Sequence, residues 1–135
     1  MAAGTIYKLM TRAEWEAAQE EGCFFGSAHD TRDGFIHFST AAQLAETARK
    51  HFPGVSNLAL LAVDVAILNE HLTPHPVPLP KGQGEGCNPL RWEPSRGGDF
   101  FPHLYAPLPV AAVKSVTTVP LGPDGTPILP SDLAP

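Results

Sequence analysis

Apolar positions recur along this chain with two different periods. Thr5–Met10 (TIYKLM) is short, β-branched and aromatic, which predicts a first strand. Thr11 followed by Glu14 three residues later has the form of a capping box. A helix is therefore expected over 12–21 (RAEWEAAQEE), stopped at Gly22. Trp15, Ala18 and Gln19 fall on one face of it, with Trp15 as the main anchor. Residues 23–33 are rich in Gly, Ser and Asp and read as a loop.

Phe35–Ser39 (FIHFS) predicts a second strand, with Phe35, His37 and Ser39 on one face and Ile36 and Phe38 on the other. Ser39 or Thr40 caps a helix over 41–51, whose apolar stripe is Leu44, Ala45 and Ala48, and Pro53-Gly54 ends it. Leu58–Val65 (LALLAVDV) is nearly continuous in apolar residues and reads as a buried central strand. A short turn over 68–72 precedes a Pro/Gly-dense stretch, 73–89, which excludes regular structure and reads as an insertion loop. Short strands are then expected at Leu90–Glu93, Phe100–Tyr105 and Ala112–Val119, with a turn at Ser95–Asp99 and an irregular tail over 121–135. Pro102 points to a strand edge or a strand start. The order of elements predicts one α+β domain spanning residues 1–135.

Composition narrows the function classes. At 135 residues the chain suits a single core without disulfides or metal. The formal charge is −5 and the basic residues form no cluster, which argues against binding duplex nucleic acid. The longest apolar run, Leu58–Val63, is far short of the ~20 residues of a membrane span. Cys23 and Cys87 have neither redox nor metal-finger spacing. With no signal-like N-terminus, a cytoplasmic protein without a membrane partner is expected.

Two short motifs carry the candidate chemistry. In FIHFS, His37 is a candidate acid/base or hydroxyl donor, and Ser39 and Thr40 sit at a helix start where free N–H groups suit an anion. In RWEPSRGGDFFPHLY, Arg96 stands beside Gly97 and Gly98, whose backbone approaches a ligand closely, and Arg grips phosphate or carboxylate in bidentate fashion. His103 and Tyr105 share a strand face, with Glu93 and Asp99 as nearby carboxylates. His37, His103 and Glu93 are thus the candidate catalytic residues. Lys8, Ser39, Thr40, Arg96, Gly97, Gly98, Asp99 and Tyr105 are the candidate ligand contacts. No HExxH or HxH spacing points to a metal.

The motifs GFIHFST and SRGGDFFPHLY, set between IYKL, LLAVD and YAPLP, resemble the DUF952 family over about residues 6–119. That family is similar, at a distance, to the ADP-ribosyltransferase fold, as in the RNA 2′-phosphotransferases. The resemblance implies a split, mostly antiparallel β-sandwich with two or three helices and a cleft for NAD. It departs from the transferase pattern at two points. The first strand reads Ile6-Tyr7-Lys8 with no histidine to hold the nicotinamide ribose, and the late strand offers His103 where transferases use Glu. The expectation is a protein that binds NAD or a related nucleotide and transfers ADP-ribose or cleaves the glycosidic bond. Two alternatives stay open: a non-catalytic module for a nucleotide or anionic metabolite, and a structural or partner-binding protein in which the motifs knit the sheets together. Nothing in the sequence sets an oligomeric state.

Overall fold

The computed structural model describes residues 4–71, 90–95 and 99–130. The first strand, β1 (Thr5–Thr11), runs antiparallel to β4 (Leu58–Asp64), with Thr5 opposite Asp64 and Thr11 opposite Leu58. On its other side β4 pairs with β8 (Val113–Val119), so β4 is the central strand that its apolar run predicts. A second antiparallel sheet has the order β3 (Ile36–His37), β6 (Asp99–Leu104), β5 (Leu90–Ser95). A two-stranded ribbon joins β2 (Cys23–Phe24) to β7 (Leu108–Pro109).

Both faces of β1 and β4 are covered, which explains their near-continuous hydrophobicity. Ile6 and Met10 on β1, with Ala59, Leu61 and Val63 on β4, enter a core built with Trp15, Phe24, Ile36, Phe38 and Leu104. Tyr7, Leu9, Leu58 and Leu60 enter a second core against Leu44 and Ala48. Lys8 falls by alternation on the Ile6 and Met10 face, so this strand buries a cation.

Four α-helices are described: α1 (Arg12–Glu21), α2 (Ala28–Asp33), α3 (Ala41–His51) and α4 (Val65–His71). Helix α1 has the expected capping box between Thr11 and Glu14, and α3 has one between Thr40 and Gln43, so Thr40 rather than Ser39 is the cap. Gln19 and Ala45 are exposed, which narrows the buried stripes to Trp15 with Ala18 and Leu44 with Ala48.

Three sequence expectations change. The 23–33 loop holds β2 and α2; six residues are too few to display a helical stripe, but Ser27 and Asp30 form a capping box and Gly34, at φ 90°, ends the turn. Residues 68–71 of the expected turn are the end of α4, whose start is capped by the Asp64 carboxylate accepting from the Ala66 and Ile67 amides. Pro102 lies within the central strand of its sheet. The Phe38 amide donates to the Pro102 carbonyl at 3.0 Å, and the proline nitrogen, which faces the same way, has no N–H to return the bond, so the β3–β6 ladder stops at the His37–His103 pair.

The insertion at 73–89 and residues 131–135 of the tail lie outside the described residues. No described helix is long and apolar enough to cross a membrane.

Candidate functional site

The two sheets touch edge to edge at one bridge. The Tyr7 amide donates to the Ser39 carbonyl at 2.8 Å, and the Ser39 amide to the Tyr7 carbonyl at 2.9 Å. Around this junction lies a cleft of about 600 Å³. Its walls come from β1 (Tyr7, Lys8), α2 (Asp30, Asp33), β3 and its exit (His37, Ser39), α3 (Thr47, His51) and β6 (Phe101, His103).

The pairing of β3 with β6 sets His37 directly opposite His103. Their ring centroids are 5.6 Å apart, edge to face. Phe35 joins the group, stacked on His103 at 4.1 Å and 4.7 Å from the His37 ring. Alternation on β3 explains the division: Ile36 and Phe38 go to the core while Phe35 and His37 stay with the cleft-side cluster.

His37 is held at both nitrogens. Nδ1 lies 2.6 Å from Asp30 Oδ1, and Nε2 lies 3.0 Å from Asp33 Oδ2. Asp30 is 2% exposed and gathers donors: the Ser27 amide at 2.9 Å, the His37 amide at 3.1 Å and the Lys8 ammonium at 3.1 Å. Burial alone would raise the Asp30 carboxyl; the His37 ring, the Lys8 ammonium and the two amides outweigh it and hold the group far below the usual carboxylate range. Lys8 is buried with it and also donates to the His37 carbonyl at 3.0 Å. Burial lowers the Lys8 ammonium from its ordinary value, and Asp30 offsets part of that. Gly26 makes room for this cluster: a Cβ there would stand 3.0 Å from the Asp30 Cβ. Desolvation also pulls Asp33 upward, but Arg32 and His37 bring its carboxyl net below the usual range.

His103 is held at one nitrogen. Nδ1 lies 2.8 Å from Glu93 Oε1, which also accepts from the Tyr105 hydroxyl at 2.7 Å. A carboxylate only accepts, so Nδ1 carries the proton in the neutral ring and Nε2 is the bare nitrogen. Nε2 has no hydrogen bond among the described residues. Burial lowers His103 from the ordinary histidine value, with Glu93 a partial counterweight. Burial and the Glu93 contact push the Tyr105 phenol far up. His103 lines the cleft and Glu93 does not.

The structure therefore brings together His37, His103, Lys8 and Ser39 in one cleft. Glu93 and Tyr105 stand behind His103 and do not line the cavity. The Ser39 hydroxyl pairs with Thr47 at 2.8 Å, and Thr40 is occupied as a helix cap. Arg96, Gly97 and Gly98 lie outside the described residues, as does the side chain of Asp99. Besides Glu93 at His103, the carboxylates of Asp30 and Asp33 reach His37 from α2. The Ser27-x-x-Asp30 capping box was the local signal that places them. Among the described residues no group of three His, Cys, Asp or Glu side chains is arranged to hold a metal.

Comparison with known proteins agrees with this geometry only at the level of family. The family model DUF952, described as a protein of unknown function, matches residues 9–116. The crystal structure of protein CC0527 from Caulobacter crescentus is 46% identical, covers 91% of this chain and 92% of that one, and superposes with a TM-score of 0.75. The solution NMR structure of the same Caulobacter protein is also 46% identical, covers 91% of this chain and 90% of that one, and has a TM-score of 0.69. No protein of curated function matches. With most of its length inside the family model and a relative this similar, the chain belongs to the DUF952 family.

Proposed function

We propose that the cleft binds NAD or a related nucleotide and cleaves or transfers at its N-glycosidic bond, in the manner of the ADP-ribosyltransferase-like proteins this sequence resembles. The observation that carries the reading is the convergence of His37 and His103 on one cavity, each ring oriented by its own carboxylate. A cavity of about 600 Å³ falls within the range of small-ligand sites. In the proposed reaction the bond between ribose C1′ and the nicotinamide nitrogen breaks, and its electron pair leaves with nicotinamide. A water or hydroxyl oxygen bonds C1′, and its proton passes to Nε2 of His103.

Charge favours this chemistry over reaction at an anionic centre. Three carboxylates (Glu14, Asp30, Asp33) and one ammonium (Lys8) line the described cleft. Such a wall stabilises positive charge developing on a ribose ring. Glu93 becomes an orienting group for His103, and Lys8 a support for Asp30 and β3, while the Ser39 hydroxyl is engaged with Thr47. In the same reading Arg96, with the Gly97 and Gly98 amides, takes the phosphates.

Incubation of the protein with NAD, with nicotinamide followed by chromatography and binding by calorimetry, tests the reading. Nicotinamide release that is lost in His103→Gln is the expected result. Binding without release would instead favour a non-catalytic module, which the engagement of Asp30 and Glu93 within the protein would suit. Neither binding nor release would overturn the nucleotide reading altogether.

A further inference from the structure

We propose that Ser39 and His103 make this wall of the cleft a subsite for an uncharged hydrogen-bond donor, a sugar hydroxyl or a primary carboxamide, and that the subsite turns anions away. The inference rests on the nucleotide reading above and says which part of the nucleotide enters here, a nucleoside portion and not a phosphate. It follows from where each polar hydrogen of the wall already goes. Thr47 donates its hydroxyl hydrogen to the Gln43 carbonyl at 3.2 Å. Its 2.8 Å contact with Ser39 is therefore donated by Ser39. The Ser39 oxygen keeps lone pairs but no hydrogen, so any bond it makes to a ligand is one it accepts. His103 is 4% exposed and lines the cavity. Its Nδ1–H is committed to Glu93, so any bond that the neutral ring makes to a ligand is accepted at Nε2.

The positive groups beside this wall are already engaged. Lys8 donates to the two oxygens of Asp30, at 3.4 and 3.1 Å, and to the His37 carbonyl at 3.0 Å, which accounts for its three hydrogens. His37 gives Nδ1 to Asp30 and Nε2 to Asp33. Both acceptors stand next to His37: Ser39 two residues further along the chain, and His103 opposite it in the β3–β6 pairing. A phosphate or carboxylate placed against them meets lone pairs, with two carboxylates close by. A hydroxyl or an amide N–H meets acceptors. Because the ring is buried, a ligand that brings no donor leaves Nε2 unsatisfied after displacing its water. Thr47 is a positioning residue in this scheme, acting through Ser39 by taking its hydrogen.

The test titrates the full chain, with isotope-labelled histidine nitrogens followed by NMR, against matched probes. Nicotinamide and nicotinate have nearly the same shape, but one carries a donor and the other a carboxylate that only accepts. Methyl β-ribofuranoside and inorganic phosphate form the second pair. Nicotinamide or the riboside is expected to move the His103 Nε2 resonance, and the anion of the same pair to bind about 10-fold more weakly or worse. The pair that responds says whether the donor is an amide or a sugar hydroxyl. Thr47→Val removes the acceptor of the Ser39 hydrogen and is expected to narrow that ratio, which a merely structural role would leave unchanged. An unchanged ratio overturns the hydrogen count at Ser39. An anion that binds at His103 as tightly as its neutral partner overturns the subsite, as does a neutral ring protonated at Nε2, or silence from all the probes. NAD titrated in parallel separates the two claims. If NAD fails to bind while a neutral probe moves Nε2, the nucleotide reading falls and the subsite stands. If NAD is turned over while nicotinate binds as tightly as nicotinamide, the subsite falls and the nucleotide reading stands.

Discussion

His37 and His103 stand opposite each other across β3 and β6, yet the protein treats them differently. His103 is buried in the sheet, bonded at one nitrogen to one carboxylate, with Phe35 stacked on its face. His37 sits nearer the rim with a carboxylate on each nitrogen, one buried and one half-buried. One ring is fixed through a single nitrogen and keeps one bare edge. The other is a junction that ties a helix, a strand and a buried lysine into one network. The lesson is that a ring held at one nitrogen and a ring that knits the fold together share a wall of this cleft, and substitutions separate the two.

The sharpest break comes at Asp30. Asp30→Ala removes the partner of a buried ammonium together with acceptors for the His37 ring, the His37 amide and the Ser27 amide. Leaving a buried charge uncompensated costs about 3–5 kcal/mol. Urea denaturation is expected to show a loss of that size. A loss below about 1 kcal/mol would mean that the network around His37 does not hold the fold. Glu93→Ala comes second. It orphans the His103 Nδ1–H and the Tyr105 hydroxyl, at about 1–3 kcal/mol. The two variants together ask which histidine carries more of the structure, and the geometry says His37.

What the sequence made legible follows the range over which each signal acts. The capping boxes at Thr11 and Thr40 and the apolar run of β4 are local, and they mark their elements to within a residue or two. Alternation in FIHFS separated Phe35 and His37 from Ile36 and Phe38, as the core membership bears out. It did not set register, because the pairing of His37 with His103 depends on where two distant strands meet. Lys8 was read as a ligand contact, and the structure buries it against an acid instead. Its partner lies 22 residues away on a helix too short to show a period. Glu93 was read as a candidate over the ligand because sequence proximity to His103 does not reveal that it stands behind the ring.

The pH dependence of stability sharpens the comparison further. The folded value of His103 lies below the ordinary one because the ring is buried. Below about pH 6.5 the unfolded chain takes up a proton that the folded ring refuses. Its contribution is therefore full above that pH and falls away as pH drops toward the folded value. His103→Gln is expected to flatten the stability profile between about pH 7 and 5. Asp30 acts lower on the scale. Its folded value is depressed, so its contribution is full above about pH 4 and is lost as the solution becomes more acid. Melting temperatures across this range separate the two groups, and a wild-type profile indistinguishable from that of His103→Gln would contradict the burial argument.

The smallest effect belongs to the rim. Asp33 meets His37 at Nε2 and Arg32 at Nε, and the Arg32 side chain is 69% exposed. Ion pairs of this kind form in high dielectric, order long side chains and are screened by salt, so they add little to stability. Asp33→Asn keeps the shape and a hydrogen-bonding oxygen, and Asp30 still anchors the His37 ring from the buried side at 2.6 Å. The urea midpoint of Asp33→Asn is expected to match wild type within error, in low salt and in high salt. A fall comparable to that of Glu93→Ala would make the rim contact a structural one. His37 would then be locked structurally from both sides, by Asp30 beneath and by Asp33 at the rim.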